Sequence, residues 1–107
     1  MTRLTAAFWV QAYLRRLSFE NIPAYILAHG DDTAGAVLVK LVTLDGEARL
    51  FQRGFDLHTG DRVWQQLEQG TEEQIDKALQ RHLGFDPDLW VIEVEDRAGR
   101  HFLDEYV

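Results

Sequence analysis

The fold is decided by the stretch Asp86-Pro87-Asp88-Leu89-Trp90-Val91-Ile92-Glu93-Val94-Glu95-Asp96. Pro87 has a fixed φ and no N–H, so a helix before it must end and Asp86 becomes extended. From Trp90 onward the side chains fall alternately on two faces of different character, which predicts a strand. Its two faces carry Trp90, Ile92 and Val94, which belong to a core, and Leu89, Val91, Glu93 and Glu95, which start apolar and become acidic.

The segment before this stretch predicts a helix from Thr71 to Leu83. Thr71 and Gln74 have the spacing of a capping box, and two glutamates follow Thr71 at the positive end of the helix dipole. We expect Gly84 to end the helix in a left-handed conformation, with Phe85 making the accompanying apolar contact. The apolar face repeats at helical spacing through Ile75, Ala78, Leu79, His82 and Leu83.

Asp45-Gly46 lies between two β-rich runs, 36–44 and 47–55, and predicts a hairpin with a two-residue turn. That turn pairs Leu44 with Glu47, and the register then assigns the faces of both strands. One face, predicted as core, carries Val37, Val39, Leu41, Ala48 and Leu50. The other face, half apolar and half cationic, carries Leu38, Lys40, Val42, Arg49, Phe51, Arg53 and Phe55.

Residues 5 to about 20 predict a first helix that is apolar on two sides. The broad arc consists of Ala6, Trp9, Val10, Tyr13, Leu14 and Leu17. On the opposite side Phe8, Ala12 and Phe19 align, with Arg15 and Arg16 beside them. This second arc is either covered by the sheet edge or a terminus, or it faces a partner, since exposed aromatic residues flanked by arginine suit interfaces.

Two further strands complete the pattern, one from Tyr25 to Ala28 and one from Arg62 to Glu68, although a short helix also fits the latter. The order α-β-β-β-β-α-β indicates an α+β fold. We predict an antiparallel-rich sheet of four or five strands with two helices packed on one face. At 107 residues, the chain is expected to form a single α+β domain over residues 1–107.

Composition restricts the function classes. The net charge is −7, and residues 86–107 hold seven acidic and two basic residues, which argues against binding to nucleic acid or to an anionic membrane. There is no cysteine, so disulfides and thiol chemistry are excluded. No apolar run approaches membrane-spanning length and no signal-peptide pattern is present, so we expect a cytoplasmic location.

No catalytic or metal-binding motif emerges from the sequence. Asp31 and Asp32 stand beside glycine, and Asp56, His58 and Asp61 surround another glycine. Both segments could offer metal ligands, but loops of this composition are usually solvated turns. Phosphate-binding loops, nucleophile elbows and zinc-protease motifs are missing. We expect no cofactor, no metal and no catalytic residue.

Three segments resemble a small family known mainly from alphaproteobacteria, catalogued as domain of unknown function 1491. These are Ala7-Phe8-Trp9-Val10-Gln11-Ala12-Tyr13-Leu14-Arg15-Arg16, Ala34-Gly35-Ala36-Val37-Leu38-Val39-Lys40, and the stretch from Asp86 to Arg97. The last segment is the most specific. The resemblance covers nearly the whole chain and implies a stand-alone cytoplasmic protein, and it brings no assigned catalytic residues.

The leading hypothesis is a non-catalytic interaction or accessory module that forms a homodimer or binds a protein partner. The contact would be made by Phe8 and Phe19, or by the sheet face that carries Arg49, Phe51, Arg53 and Phe55. On that sheet face, Glu93 and Glu95 could instead lie opposite the arginines and only balance their charge. A single-stranded nucleic-acid platform on the same face is the alternative, and a metal- or carboxylate-dependent enzyme is third.

Overall fold

The computed structural model of the protein describes residues 4–105. Its elements, in chain order, are helix α1 (Ala6–Phe19), strands β1 (Ala24–Ala28), β2 (Val37–Val42), β3 (Glu47–Phe55) and β4 (Arg62–Thr71), helix α2 (Glu72–Phe85), strand β5 (Trp90–Glu95) and a 3-10 turn (Leu103–Glu105).

The five strands form one mixed sheet in the order β1-β5-β2-β3-β4. Only the β2–β5 pair is parallel, and the other three pairs are antiparallel. The predicted α+β class and antiparallel-rich sheet are therefore confirmed, and of the four or five strands expected the sheet has five. Strand β5 is inserted between β1 and β2, so the stretch that follows Pro87 forms an interior strand of the sheet.

The two helices cover opposite faces of the sheet, so the predicted arrangement with both helices on one face is wrong. On the α1 face, the helix packs on Val39, Ile92 and Val94 among others. On the α2 face, the second helix packs on Leu38, Val91 and their neighbours. All six residues of β2 are buried, and a strand that is apolar on both sides needs cover on both sides.

The β2–β3 hairpin differs from the prediction by one residue in register. Val42 pairs with Ala48 rather than with Arg49, because the loop contains Leu44 as well as Asp45 and Gly46. Leu44 and Gly46 both have positive φ angles, 61° and 91°. A one-residue shift reverses the faces of β3. Arg49, Phe51 and Arg53 consequently lie on the α1 face, and Ala48 and Leu50 lie on the α2 face.

The first helix, α1, has a defined cap at each end. The Thr5 hydroxyl accepts a hydrogen bond from the Phe8 amide at 3.2 Å. At the other end the Ile22 amide donates to the Leu17 carbonyl at 3.1 Å, and Asn21 adopts a left-handed φ of 57°. This Schellman geometry ends the helix before Pro23 and directs the chain into β1.

The capping box predicted for α2 is confirmed. The Gln74 amide donates to the Thr71 hydroxyl at 3.2 Å, and the Thr71 amide donates to the Gln74 side chain at 2.9 Å. The predicted left-handed end at Gly84 is wrong, because the helix continues to Phe85 and its last cap is Asp86, with φ −136°. Pro87 explains the difference, since it forces the residue before it into an extended conformation.

Trp90 fixes the loop between β1 and β2 to the start of β5. Its indole Nε1 donates to the Asp31 carbonyl at 2.8 Å, and the His29 ring lies 4.0 Å from the Trp90 ring. Gly30 lies so close to the Asp88 carbonyl and to Trp90 that no Cβ would fit there. The start of β5 is thus packed closely against the loop between β1 and β2.

Candidate functional site

The outer face of α1 exposes large apolar side chains. Phe8 is 60% exposed and Phe19 is 70% exposed, while the inner face of the helix is buried against the sheet. Phe8, Ala12, Arg15 and Phe19 follow one another at helical spacing of four, three and four residues. A groove on this face is lined by Phe8, Gln11, Ala12, Leu14 and Arg15. We call this surface the α1 outer face.

Arg15 lies in the middle of the α1 outer face. Its guanidinium carbon is 5.8 Å from the centroid of the Phe19 ring, within the range of a cation–π interaction. None of the ion pairs found among residues 4–105 involves Arg15. The α1 outer face therefore combines two exposed aromatic rings with one positive charge.

Arg16, which the sequence placed beside the same arc, contacts the end of the described chain instead. It donates to Glu105 at 2.8 and 3.2 Å and to Glu20 at 2.9 Å. Its guanidinium carbon also lies 4.3 Å from the Phe102 ring centroid. Hydrogen bonds to Glu105 and then to Glu20 raise the pKa of Arg16. Arg16 therefore holds the C-terminal segment, residues 100–105, against the helix.

The sheet face predicted as the second contact surface is not one exposed patch. Phe51 is buried, with its ring 4.9 Å from the His101 ring. Arg53 lies 5.4 Å from the Trp9 ring and 5.6 Å from the Trp64 ring, measured from its guanidinium carbon. Phe51 and Arg53 consequently belong to the packing between α1, the sheet and the C-terminal segment.

The other two members of that predicted set lie at the surface, but apart from each other in the sheet. Arg49 lines a polar groove beside the hairpin loop, together with Asp45, Glu47 and Arg97 among others. Phe55 is exposed at the far end of β3, where Arg62 lies 6.0 Å from its ring.

The expected ion pairs between β5 and β3 do not form, because β2 separates these strands. Glu93 contacts Lys40 on β2 instead, at 2.9 Å. The prediction that Glu93 and Glu95 balance Arg49 and Arg53 is therefore wrong. The nucleic-acid alternative needs Phe51 and Phe55 exposed side by side for base stacking. Phe51 is buried, so of these two rings only Phe55 is exposed for stacking on a base.

The sequence did not predict the cluster of ion pairs around Lys40. It is only 3% exposed, and its ammonium group lies 2.7 Å from Asp76, 2.9 Å from Glu93 and 3.3 Å from Glu72. Burial alone would lower the pKa of Lys40, but the hydrogen bonds that its ammonium group donates to Asp76 and Glu93, together with the charges of these carboxylates, raise the pKa above its usual value. Lys40 thus connects α2 to the sheet. The position of Lys40 inside the apolar run Val37–Val42 is the feature of the sequence that could have indicated its burial.

His101 occupies the junction between the C-terminal segment and the sheet. The Tyr13 hydroxyl donates to the His101 carbonyl at 2.8 Å, and the Leu103 amide donates to His101 Nδ1 at 3.0 Å. Burial lowers the pKa of His101, and the nearby charge of Arg49 lowers it further, while Asp104 opposes the shift. The neutral imidazole is therefore the form that fits this junction.

The loops that the sequence singled out as candidate metal sites have local structural roles. The Asp31 carboxylate accepts hydrogen bonds from the Thr33 and Ala34 amides at 3.2 and 2.8 Å, which makes a compact turn. The Asp56 carboxylate accepts hydrogen bonds from the His58 and Thr59 amides at 2.7 and 3.2 Å in the same way. Among residues 4–105, no group of three or more His, Asp or Glu side chains could hold a metal ion. Over the same residues, no helix is both long and apolar enough to cross a membrane.

The exposed edge of β1 is a second feature that the sequence reasoning did not single out. Tyr25 and Leu27 are 50% and 51% exposed, and Ile26 is partly exposed. The negative charge of Glu95, burial, a hydrogen bond to Glu95 and the charge of Glu93 raise the pKa of Tyr25. The absence of charged residues from Asn21 to Ala28 is the feature of the sequence that could have indicated an apolar edge here.

These features define a small α+β protein whose described surface exposes large apolar side chains on α1 and β1. The chain belongs to the family described as "Protein of unknown function (DUF1491)", which matches residues 4–104. The resemblance seen in the sequence is confirmed. No curated protein matches the chain.

Solved structures share the fold, and two of them are of proteins from the same family. A crystal structure of a DUF1491 family protein from Caulobacter crescentus CB15 is 41% identical, with a TM-score of 0.85 and 94% of each chain covered. An NMR structure of a DUF1491 family protein from that organism is 41% identical, with a TM-score of 0.82, and covers 95% of this chain and 94% of the other. The solution structure of protein Atu0922 from A. tumefaciens is 28% identical, with a TM-score of 0.73, and covers 88% and 86%.

Proposed function

We propose that this protein is a non-catalytic interaction module that binds a partner protein through the α1 outer face. The observation that carries the proposal is the pair of exposed rings, Phe8 and Phe19, on a helix whose other face is already buried. Leaving such rings in water costs free energy, about 25 cal/mol per Å² of apolar surface. A partner that covers them recovers that free energy.

The dimensions of the α1 outer face suggest what the partner offers. Phe8 and Phe19 are eleven residues apart, which corresponds to about 16 Å along a helix axis. Ala12 lies between them and has a small side chain, so a second helix could approach closely at that point. We expect a helical segment with two apolar side chains about three turns apart.

Arg15 adds a charge requirement to this proposal. Its guanidinium group lies over the Phe19 ring at the surface. A carboxylate on the partner could pair with it while the apolar side chains pack on the two rings. The overall charge of −7 disfavours a strongly acidic partner. One acidic residue within an otherwise apolar or basic helix therefore fits best.

Site-specific photocrosslinking in the cells that make the protein would test this proposal. A benzoyl-phenylalanine would replace Phe8 in one experiment and Phe19 in another. Phe85 is the matched control, because it is also a phenylalanine at the surface and is the last residue of the other helix, α2. We expect the same partner to crosslink at positions 8 and 19 and not at position 85.

Substitutions then measure how much the α1 outer face contributes to the affinity for the partner. Phe8→Asp should weaken binding of the crosslinked partner by at least about tenfold, as loss of a central aromatic anchor usually does. Phe85→Asp should leave the affinity unchanged, and the circular dichroism spectra of both variants should match that of the unaltered protein. Crosslinks that are identical at positions 8, 19 and 85, or an affinity unaffected by Phe8→Asp, would contradict the proposal.

A further inference from the structure

The C-terminal segment is fixed firmly at its first residue, Arg100. The Arg100 amide donates to the Asp96 carboxylate at 2.8 Å, and the Arg100 guanidinium donates to the same carboxylate at 3.1 and 3.0 Å. Gly99 has a φ of 75°, and its amide donates to the Asp96 carbonyl at 3.0 Å, which closes the turn between these residues. The chain after Arg100 therefore starts from a defined point on the protein.

After Arg100, side-chain contacts rather than a backbone ladder hold the C-terminal segment on the α1 face. Among residues 4–105, no backbone–backbone hydrogen bond joins residues 101–105 to the rest of the protein. Leu103 is fully buried in the core on this face, and Phe102 has a left-handed φ of 56°. A bulky residue keeps such a φ only where its surroundings impose it, so release of the segment relieves strain.

His101 holds the segment closed as a hydrogen-bond acceptor. Its Nδ1 accepts a hydrogen bond from the Leu103 amide at 3.0 Å, and its backbone carbonyl accepts one from the Tyr13 hydroxyl at 2.8 Å. A neutral imidazole has one acceptor nitrogen, whereas both nitrogens of an imidazolium are donors. Protonation of His101 therefore replaces its hydrogen bond with Leu103 by two N–H groups that face each other.

The surroundings of His101 also disfavour a positive charge on its ring. Burial and the charge of Arg49 on β3 oppose protonation, Asp104 in the same segment favours it, and the net effect lowers the pKa of His101. The Phe51 ring, 4.9 Å away, can attract a cation through its face but cannot accept the hydrogen bond in place of Nδ1. Tyr13, on α1, stays protonated, because burial raises its pKa. A charge on His101 is therefore unfavourable as long as the segment remains closed.

We propose that protonation of His101 opens the C-terminal segment beyond Arg100, while both helices and the sheet stay folded. The other charged contacts of the segment do not change where a histidine titrates. Hydrogen bonds from Arg100 hold the pKa of Asp96 below its ordinary 3.8. Hydrogen bonds from Arg16 hold the pKa of Glu105 below its ordinary 4.5. The opening does not depend on a partner at the α1 outer face.

The pH dependence of the opening follows from the preference of the proton for the open form. In the open segment water surrounds the His101 imidazole, so its pKa returns to about 6.5. Between that value and the lower pKa of the closed form, the ratio of open to closed molecules rises by up to about tenfold for each unit of decreasing pH. Opening also uncovers Phe51, because the His101 ring that packs on it moves away.

Hydrogen exchange of the Leu103 amide measures the open population, once each rate is divided by the intrinsic rate at the same pH. We expect the protection of Leu103 to fall several-fold between about pH 7.5 and about pH 5. In roughly 1 M urea the Leu103 rate should hardly change, whereas the Ile92 amide, inside the sheet, should exchange faster because it requires global unfolding. Equal protection of Leu103 at the two pH values, or equal urea dependence of the two amides, would overturn the proposal.

Two histidine substitutions identify the group that triggers the opening. His101→Asn keeps an acceptor oxygen near the position of Nδ1 but takes up no proton, so the protection of Leu103 should become independent of pH. His58→Asn, at an exposed histidine in the β3–β4 loop, is the matched control and should keep the full pH dependence. A His101→Asn variant that retains the pH dependence contradicts the proposal. If this variant fails to fold, the pH and urea series on the unaltered protein still decides.

Tyr13→Phe distinguishes opening of the segment from loss of one hydrogen bond within a closed segment. It removes the hydroxyl that donates to the His101 carbonyl, so the protection of Leu103 should fall by the same factor at both pH values. No effect of Tyr13→Phe on Leu103 would overturn the proposal. Phe8→Asp should leave the exchange of Leu103 unchanged, which separates this test from that of the α1 outer face.

Discussion

Replacement of Lys40 by methionine tests how α2 is held on the sheet. Lys40 is buried and contacts three carboxylates, Asp76, Glu93 and Glu72, at 2.7, 2.9 and 3.3 Å. Methionine has a similar volume and no charge. After the substitution, Asp76 and Glu72 can be hydrated because they are about half exposed, but Glu93 is 17% exposed and keeps a poorly solvated charge.

The loss of stability expected for Lys40→Met follows from the difference in exposure between these carboxylates. Removing one partner of a buried ion pair costs about 3–5 kcal/mol. Since two of the three carboxylates regain water, we expect the lower end, about 3 kcal/mol. For a domain of this size, 1 kcal/mol corresponds to about 4–8 °C in Tm, so Lys40→Met should lower Tm by about 12–24 °C.

A second substitution separates loss of the ion pair from general damage to the packing. Lys40→Met combined with Glu93→Gln removes both buried charges, and apolar or neutral replacements of a whole buried network are often nearly neutral. The double variant should recover more than half of the stability lost by Lys40→Met, measured by urea denaturation. A loss below about 1 kcal/mol for Lys40→Met, or no recovery in the double variant, would refute the reasoning.

Three other predictions concern the hairpin and the C-terminal segment. Gly46→Val should cost about 1–3 kcal/mol because it forces a β-branched residue to a φ of 91°, and an unchanged melting midpoint would contradict this. Burial lowers the pKa of His101 below its ordinary 6.5, so the unfolded chain takes up the proton first and stability falls as pH decreases below about 6.5. A His101→Gln variant should lose this part of the pH dependence of the free energy of unfolding, measured by urea denaturation. If that free energy changed with pH equally in the variant and in the unaltered protein, the prediction would be wrong. Arg16→Ala frees Glu105 and should speed exchange of the Leu103 amide by about tenfold, whereas Arg15→Ala, on the same helix, should not.

Local signals predicted the helices and strands well. Thr71 and Gln74 form the capping box that their spacing indicated. Trp90, Ile92 and Val94 lie in one core, and Leu89 and Val91 lie in the other, as their alternation predicted. Each of these signals depends on residues within a few positions of one another. Neighbouring side chains and the backbone therefore suffice to form the helix cap and to set which side chains share a face of the strand.

The candidate site was only partly predictable. The exposed rings of the α1 outer face follow from helical periodicity alone, and the structure places both Phe8 and Phe19 at the surface. The sheet-face prediction failed at Phe51, because a loop longer by one residue reversed the faces of β3. No local rule distinguishes the two loop lengths here, since Asp-Gly is compatible with both.

The sequence by itself determined the helices and strands and their order, because these depend on contacts between near neighbours in the chain. Only the tertiary structure decided that β5 enters between β1 and β2, that the helices cover opposite faces, and that β1 remains an open edge. It also brought Lys40 to Glu72 and Asp76, which lie 32 and 36 residues further along the chain. Such contacts depend on the path of the whole chain around a strand that is buried on both sides.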